Sequence, residues 1–460
     1  MMSFLKRMYG NFQSREEVFK FVVLGFIFFL VIGTYWTLRP LKDGLFLSIV
    51  GGIYQPYAKI LSMFAVFPIV MFYSKLIDWF SRDKVFYILT AFYCVTAFAF
   101  ALAFMNPTIG LANTVESPSR ILGWLWYVWV ESFGSLIVAL FWAYTADITA
   151  PDVAKRGYPL IVLFGQLGNI LGPLFLTPLG KNFFNGDSSP VVAITGVLIF
   201  CIGFMVWIFG RIVPASQRQG YKSADEAKVD KKEKGEAGFF EGLFLLLRTP
   251  YLLSIFFIIT IFEMIVTVFD FLLKINVAEN FATSAERVAY LGSYAWMTGL
   301  VAFLCVILGI NNIQRKVGMT ASLLILPFLV LFAVLTSKFY TGLAVFFWIM
   351  VFAKAVNYAL NQPTLKQLYI PTSADAKYKS QAWIEMFGSR GSKGTGSFFN
   401  TFREGFIKMS GPAGAAAFMT IFTFGGVGLI TLWVPIAIYA SRKYNTAVKE
   451  IGRASCRERV

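Results

Sequence analysis

The charges that could do chemistry stand inside apolar runs. Arg39, Lys42 and Asp43 occur in "GTYWTLRPLKDGLFL", directly after "VFKFVVLGFIFFLVI". Glu131 lies about nine residues into the apolar stretch that contains "YVWVESFGSLIVALFWAY". Glu263, Asp270 and Lys274 share a third run, and Lys354 is followed by Asn357, Asn361 and Gln362 in a fourth. Glu385, Arg390 and Lys393 crowd "QAWIEMFGSRGSKGTGSFFNTFREGFIKM". A charge in hydrocarbon costs about 2.5–3.5 kcal/mol on insertion scales unless it meets water or a partner. Arg39 with Asp43, and Asp270 with Lys274, are spaced i,i+4 and can pair on one helix. Lys42 has no evident neighbour, and Pro40 predicts a distortion beside it. Two readings of this first cluster stand: side chains snorkelling to headgroups at a helix end, or groups facing a polar interior. Glu131 likewise suits an interhelical hydrogen bond or a polar cavity.

Lys42, Lys274, Lys354 and Lys393, with Arg39 and Arg390 nearby, make an excess of interior cations. Arginine grips phosphate oxygens bidentately and lysine supplies a mobile point charge, so a substrate with several phosphate charges fits. Aromatic residues in "WLWYVW", "FWAY" and "YW" could stack on a base. With 50 Phe in the chain, most aromatics serve packing and lipid contact.

Those charges must be positioned by membrane helices. The 460 residues are 57% hydrophobic and only 14% charged, which excludes an ordinary soluble domain. Apolar runs of roughly 20 residues, each able to cross the bilayer as a helix, recur along the whole chain. About twelve spans are expected, near 18–38, 59–77, 85–105, 122–146, 158–178, 190–210, 249–273, 289–310, 319–337, 341–363, 380–408 and 414–439. Short alternating segments of a β-barrel are absent. Ser14, three residues before Glu17, predicts a capping box for a short amphipathic helix ahead of the first span.

The domain reading is an N-terminal six-helix bundle over 1–210, a linker over 211–248, a C-terminal bundle over 249–445 and a disordered tail over 446–460. The linker contains "RQGYKSADEAKVDKKEKGEAG", polar and without an apolar face. Its basic residues, with those in "SRDK", "AKR", "QRK", "KYK" and "SRK", predict a cytoplasmic linker and cytoplasmic termini, in a multi-pass protein of a cell inner membrane. No signal-peptide pattern is seen at the N-terminus. Much of the net charge of +16 has this plain origin.

An internal repeat joins the halves. "ITAPDVAK" at 148–155 matches "IPTSADAK" at 370–377, and "GQLGNILG" matches "GSRGSKG", at offsets of 222 and 223. Lys354 then falls one position from the repeat mate of Glu131, so opposite charges are expected at related depths. Gly388, Gly391 and Gly394 share a face and predict close backbone approach. Parallel six-span repeats around a central loop are the organisation of rocking transporters with a central site.

Other classes fit poorly. The chain has no histidine, so proton coupling would need carboxylates or lysines. Cys94, Cys201, Cys305 and Cys456 are too scattered for a disulfide framework or a metal site. "GSRGSKGT" lacks the P-loop spacing. A membrane enzyme would want paired metal-binding carboxylates or a nucleophile with a base, and none is evident. A scaffold would have no use for the charges of 380–408. No cofactor is expected.

"TYWTLRPLKDGLFL", "ESFGSLIVALFWAYTADIT", "AKRGYPL" and "YIPTSADAKYKSQAWIEMFGSRGSKG" together resemble the ATP/ADP translocase family of obligate intracellular bacteria and plastids, over roughly residues 15–445. The resemblance implies an all-α, major-facilitator-like fold and exchange of ATP for ADP, sometimes with phosphate, by a functional monomer. Nucleic acid is not an implied partner. It also implies transport-critical charges at Lys42, Glu131, Glu263 and Lys393. Arg390 and the Gly391–Ser392 step depart from the family's Pro-Leu-Gly-Lys-Ser-Gly pattern and leave the substrate preference open. Nucleotide–proton symport, or import of other nucleoside phosphates, is the alternative.

Overall fold

The computed structural model describes residues 14–149, 151–214, 241–308, 311–369, 371–372 and 383–457. Every extended element in them is helical. The first half supplies α1 (Arg15–Ile49), α2 (Gln55–Trp79), α3 (Arg82–Met105), α4 (Ile121–Asp147), α5 (Pro151–Leu176) and α6 (Ser189–Ile212). After a short helix, Glu241–Arg248, come α7 (Pro250–Asn280), α8 (Ser284–Ile307), α9 (Asn311–Phe339) and α10 (Leu343–Leu368). A π-helical segment, Ile384–Gly391, leads into α11 (Ser392–Ser410), and α12 covers Pro412–Arg457. The protein is an all-α, multi-pass membrane protein.

Among the described residues, eleven helices are long and apolar enough to span a bilayer. The twelfth expected span, 380–408, is helical over Ile384–Ser410 but too polar to join them. Its glycines also behave differently from expectation. A Cβ on Gly391 would meet nothing within 4 Å and one on Gly388 only ordinary contacts, whereas one on Gly396 would lie 2.8 Å from the Met264 carbonyl of α7. The close approach therefore sits at Gly396.

Two further expectations are corrected. Ser14 does accept from the Glu17 N–H at 3.0 Å, but the helix it caps is the long α1 itself; the residues before Ser14 lie outside the described residues. Residues 446–457, expected to be a structureless tail, continue α12. Of the linker expected over 211–248, residues 241–248 form the short helix, 211–212 end α6, and 215–240 lie outside the described residues, as does most of "IPTSADAK".

Contacts divide the chain into two compact units, Met1–Lys232 with Val277–Gly299, and Glu233–Asn276 with Leu300–Val460. In the first, α1 packs most extensively on α5. Gly168 and Gly172 of "GQLGNILG" make that possible: a Cβ on either would come 2.4 Å from a carbonyl of α1, of Phe29 or Gly33. Small residues let two backbones touch where lipid offers no hydrophobic drive. At one end of α1, the buried Glu17 pairs with Arg156 at 3.1 Å and Lys20 donates to the Ile148 carbonyl at 2.6 Å. Residues 277–299 join this unit through Arg287, which donates to the Phe281 and Ala278 carbonyls, to Ser48 and to Glu116. In the second unit, α9 packs on α12 and α11 on α12.

Candidate functional site

Two charge clusters form, one in each unit. The first rests on α1 and α4. Pro40 does not end α1: the helix runs unbroken for 35 residues and carries Lys42 and Asp43 inward, 4% and 8% exposed. A snorkelling cluster at a helix end is therefore excluded for these two residues. The Lys42 ammonium pairs with the Glu131 carboxylate of α4, lies 3.7 Å from Asp43 Oδ1, and sits 4.3 Å from the centre of the Tyr127 ring, one turn before Glu131. Lysine 42 thus has a neighbour that no local spacing showed, 89 residues away. Arg39 leans over Trp36 at 4.7 Å and Tyr35 at 5.9 Å. Glycine at 134 admits the Tyr35 ring, which a Cβ would approach to 2.2 Å. The Trp126 indole N–H donates to the Leu41 carbonyl at 3.4 Å, adding a tie between α1 and α4.

The second cluster rests on α7, α10 and α11. Glu263, 7% exposed, lies 3.4 Å from Lys354 Nζ and 3.8 Å from Lys393 Nζ. Lys354 also sits 5.3 Å from the centre of the Phe262 ring. The expected local pair is present too: Lys274 donates to Asp270 at 2.9 Å. Lys274 is eleven residues from Glu263, about 16 Å along a helix, so the structure does not bring it into the cluster. Arg390 lies on the π-helical segment three residues before Lys393.

The two clusters have similar sequence spacing. Glu263 follows Lys42 by 221 residues and Lys354 follows Glu131 by 223. The α1–α4 pair of the first unit recurs as the α7–α10 pair of the second with its charges exchanged. Around the second pair the helices are irregular. α10 widens into a π-helical turn over Asn357–Asn361, in which Asn361 donates to Asn357 at 2.9 Å. Single π turns inside helices are concentrated at functional sites.

Beside Glu263 opens a cavity of about 220 Å³. Ile259 and Leu365 form its apolar wall, and Gln362, Lys366, Tyr369 and Ser389 its polar one. Sequence reasoning noted Gln362 and missed the other three. The signal was available for Lys366, one turn after Gln362 on the same face, but a lysine near the end of a span reads first as a headgroup contact.

Residues 12–444 match the TLC ATP/ADP transporter family. The chain is 28% identical to ADP,ATP carrier protein 1 of Rickettsia bellii, with 95% of each chain covered. It is 23% identical to the chloroplastic ADP,ATP carrier protein 2 of Arabidopsis thaliana, covering 94% of this chain and 75% of that one. Among solved structures, the nucleoside transporter NupG superposes with a TM-score of 0.59 at 14% identity, covering 92% and 99%. A peptide transporter, POT, superposes with a TM-score of 0.59 at 11% identity, covering 92% and 95%. The fold is therefore major-facilitator-like. With a match that runs through both charge clusters and nearly the whole chain, this protein belongs to the TLC ATP/ADP transporter family, and its work is transport rather than catalysis.

Proposed function

We propose that the protein is a secondary transporter of nucleoside phosphates, with Lys42, Lys354 and Lys393 as the cations that receive the phosphates. The observation that carries this reading is the charge-exchanged pair: each unit holds a lysine against a carboxylate of its own helices, with Lys42 buried in one pair and Glu263 in the other. A phosphate group competes with Glu131 or Glu263 for those ammonium groups and replaces one charge-assisted contact by another. Arg39 and Arg390 are placed to assist, and Tyr35, Trp36 and Tyr127 supply faces for a ribose or base. Lys274, held by Asp270, is left to a structural role.

Exchange of ATP for ADP is the narrower reading, supported by the names of the family and of its carriers. The electrostatics favour the broader one. Obligatory exchange follows when unpaired cations make reorientation of the unloaded carrier costly. Here Glu131 answers Lys42 and Glu263 answers Lys354, which lowers that cost, and net import, including proton-coupled import through Glu131, is open.

Uptake of labelled ATP into proteoliposomes, with and without internal ADP and with and without an inward proton gradient, tests both levels. Uptake only into ADP-loaded vesicles supports exchange. Uptake into empty vesicles that follows the proton gradient supports symport. No uptake of any nucleoside phosphate under any condition overturns the proposal.

A further inference from the structure

The cavity beside Glu263 is too small for a whole nucleotide. At about 220 Å³ it falls below the roughly 300–1,000 Å³ of pockets that enclose drug-sized ligands. Among the described residues, cations gather round its acidic end. One carboxylate, Glu263, is approached by two ammonium groups at 3.4 and 3.8 Å, and Lys366 adds a third cation on the wall. Gln362, Tyr369 and Ser389 add neutral hydrogen-bonding groups at the same place. Two independent irregularities of the backbone frame it: the π turn Asn357–Asn361 immediately precedes Gln362, and the π-helical segment Ile384–Gly391 carries Ser389. Extra backbone width on both sides is how regular helices make room for a ligand between them.

Building on the transport of nucleoside phosphates proposed above, we infer that this cavity is the subsite for the outermost phosphates of the substrate, with Lys366 as the residue that distinguishes tri- and diphosphates from monophosphates. Lys366 is exposed, on the last turns of α10, and Glu263 is buried, so the cavity runs inward from a cation at its mouth to a cation-flanked carboxylate. An anionic tail entering there meets increasing positive charge before it competes for Lys354 and Lys393. Ser389, on the facing segment, donates its hydroxyl to the same oxygens. The site has room for a chain of phosphates and, at about 220 Å³, not for the rest of the nucleotide with it.

The test is transport by the full chain in proteoliposomes, with KM measured for ATP, ADP and AMP in the parent, Lys366→Gln and Lys366→Arg. Losing a charge-assisted contact to the outer phosphates raises KM about tenfold for ATP, about fivefold for ADP and within about twofold for AMP in Lys366→Gln. Lys366→Arg restores the parent's ranking, and Ser389→Ala shows the same ranking with smaller changes. An equal change for all three nucleotides, or none, overturns the inference while leaving nucleotide transport standing. A parent that moves no nucleoside phosphate overturns the underlying function instead. The series is repeated in vesicles of phosphatidylcholine alone and with phosphatidylglycerol. A ranking that appears only with the anionic lipid assigns Lys366 to a headgroup and also overturns the inference.

Discussion

The two units place a lysine–glutamate pair at matching positions of the repeat, yet surround it differently. In the first, Lys42 faces two carboxylates, Glu131 and Asp43, among regular helices and aromatic rings. In the second, one carboxylate, Glu263, faces two lysines, and the neighbouring helices carry π turns beside a cavity. A repeat conserves where charge must sit before it conserves its sign. The first cluster is charge-balanced and closely packed. The second, among the described residues, sets two lysines on one carboxylate with room beside them, which suits it to receive an anion.

The largest effect is expected where the comparison is broken outright. Lys42→Ala removes the ammonium that Glu131 and Asp43 share, and losing one partner of a buried pair costs about 3–5 kcal/mol, less here because Glu131 is partly exposed. Uptake should be abolished and the melting temperature in detergent lowered. The reversed double variant Lys42→Glu with Glu131→Lys gives the first unit the polarity of the second. It should recover most of the lost melting temperature. A double variant no more stable than Lys42→Ala would show that the two pairs are not interchangeable and that the likeness is accidental.

Glu263→Gln sharpens the difference in the opposite direction. The substitution takes away the carboxylate that Lys354 and Lys393 share. Nucleotide is then held more tightly, and KM for ATP should fall by about fivefold while the maximal rate falls further, because release now leaves two cations unneutralised. In the first unit Glu131→Gln leaves Asp43 as counter-charge, and the drop in KM should be smaller. Initial-rate uptake over a range of ATP concentrations separates the two. An equal response at both sites would erase the distinction drawn here.

The smallest expected effects concern glycines at the two "GxxG" segments. Gly168→Ala drives a methyl to 2.4 Å from the Phe29 carbonyl and should cost about 1–3 kcal/mol through separation of α1 and α5. Gly391→Ala meets open space in a helical conformation and should be neutral or gain up to about 1 kcal/mol. Thermal unfolding of the two variants checks this. If Gly391→Ala is the more damaging, the π-helical frame is tighter than its neighbours indicate.

The helical, membrane-spanning architecture was legible because length and hydropathy decide it. Asp270–Lys274 was legible because both ends lie on one turn of one helix. Lys42–Glu131 was not, since no pattern shorter than 89 residues links them and the α1–α4 packing that joins them is a tertiary fact. Pro40 predicted a distortion, but a missing N–H within a long helix is tolerated where neighbouring helices hold both sides. The π turns leave no periodic signature at all, and with them the cavity stayed hidden. Gly388 and Gly391 showed the reverse failure: their spacing promised a close approach that they do not make and that Gly396 does.

The unbroken course of α1 has one more consequence. Thirty-five residues of helix measure about 52 Å, against roughly 30 Å of hydrocarbon and 40–45 Å with both headgroup layers. Even at a tilt of about 40° the helix outreaches the hydrocarbon by roughly 10 Å. An overhang at the N-terminal end would hold Glu17 and Lys20, in the first and second turns of the helix, where Arg156 and the Ile148 carbonyl take the place of water. A bilayer a few ångströms thicker or thinner slides along that overhang, altering which residues mark its edge and leaving the depth of Lys42 to be set by protein packing rather than by the lipid.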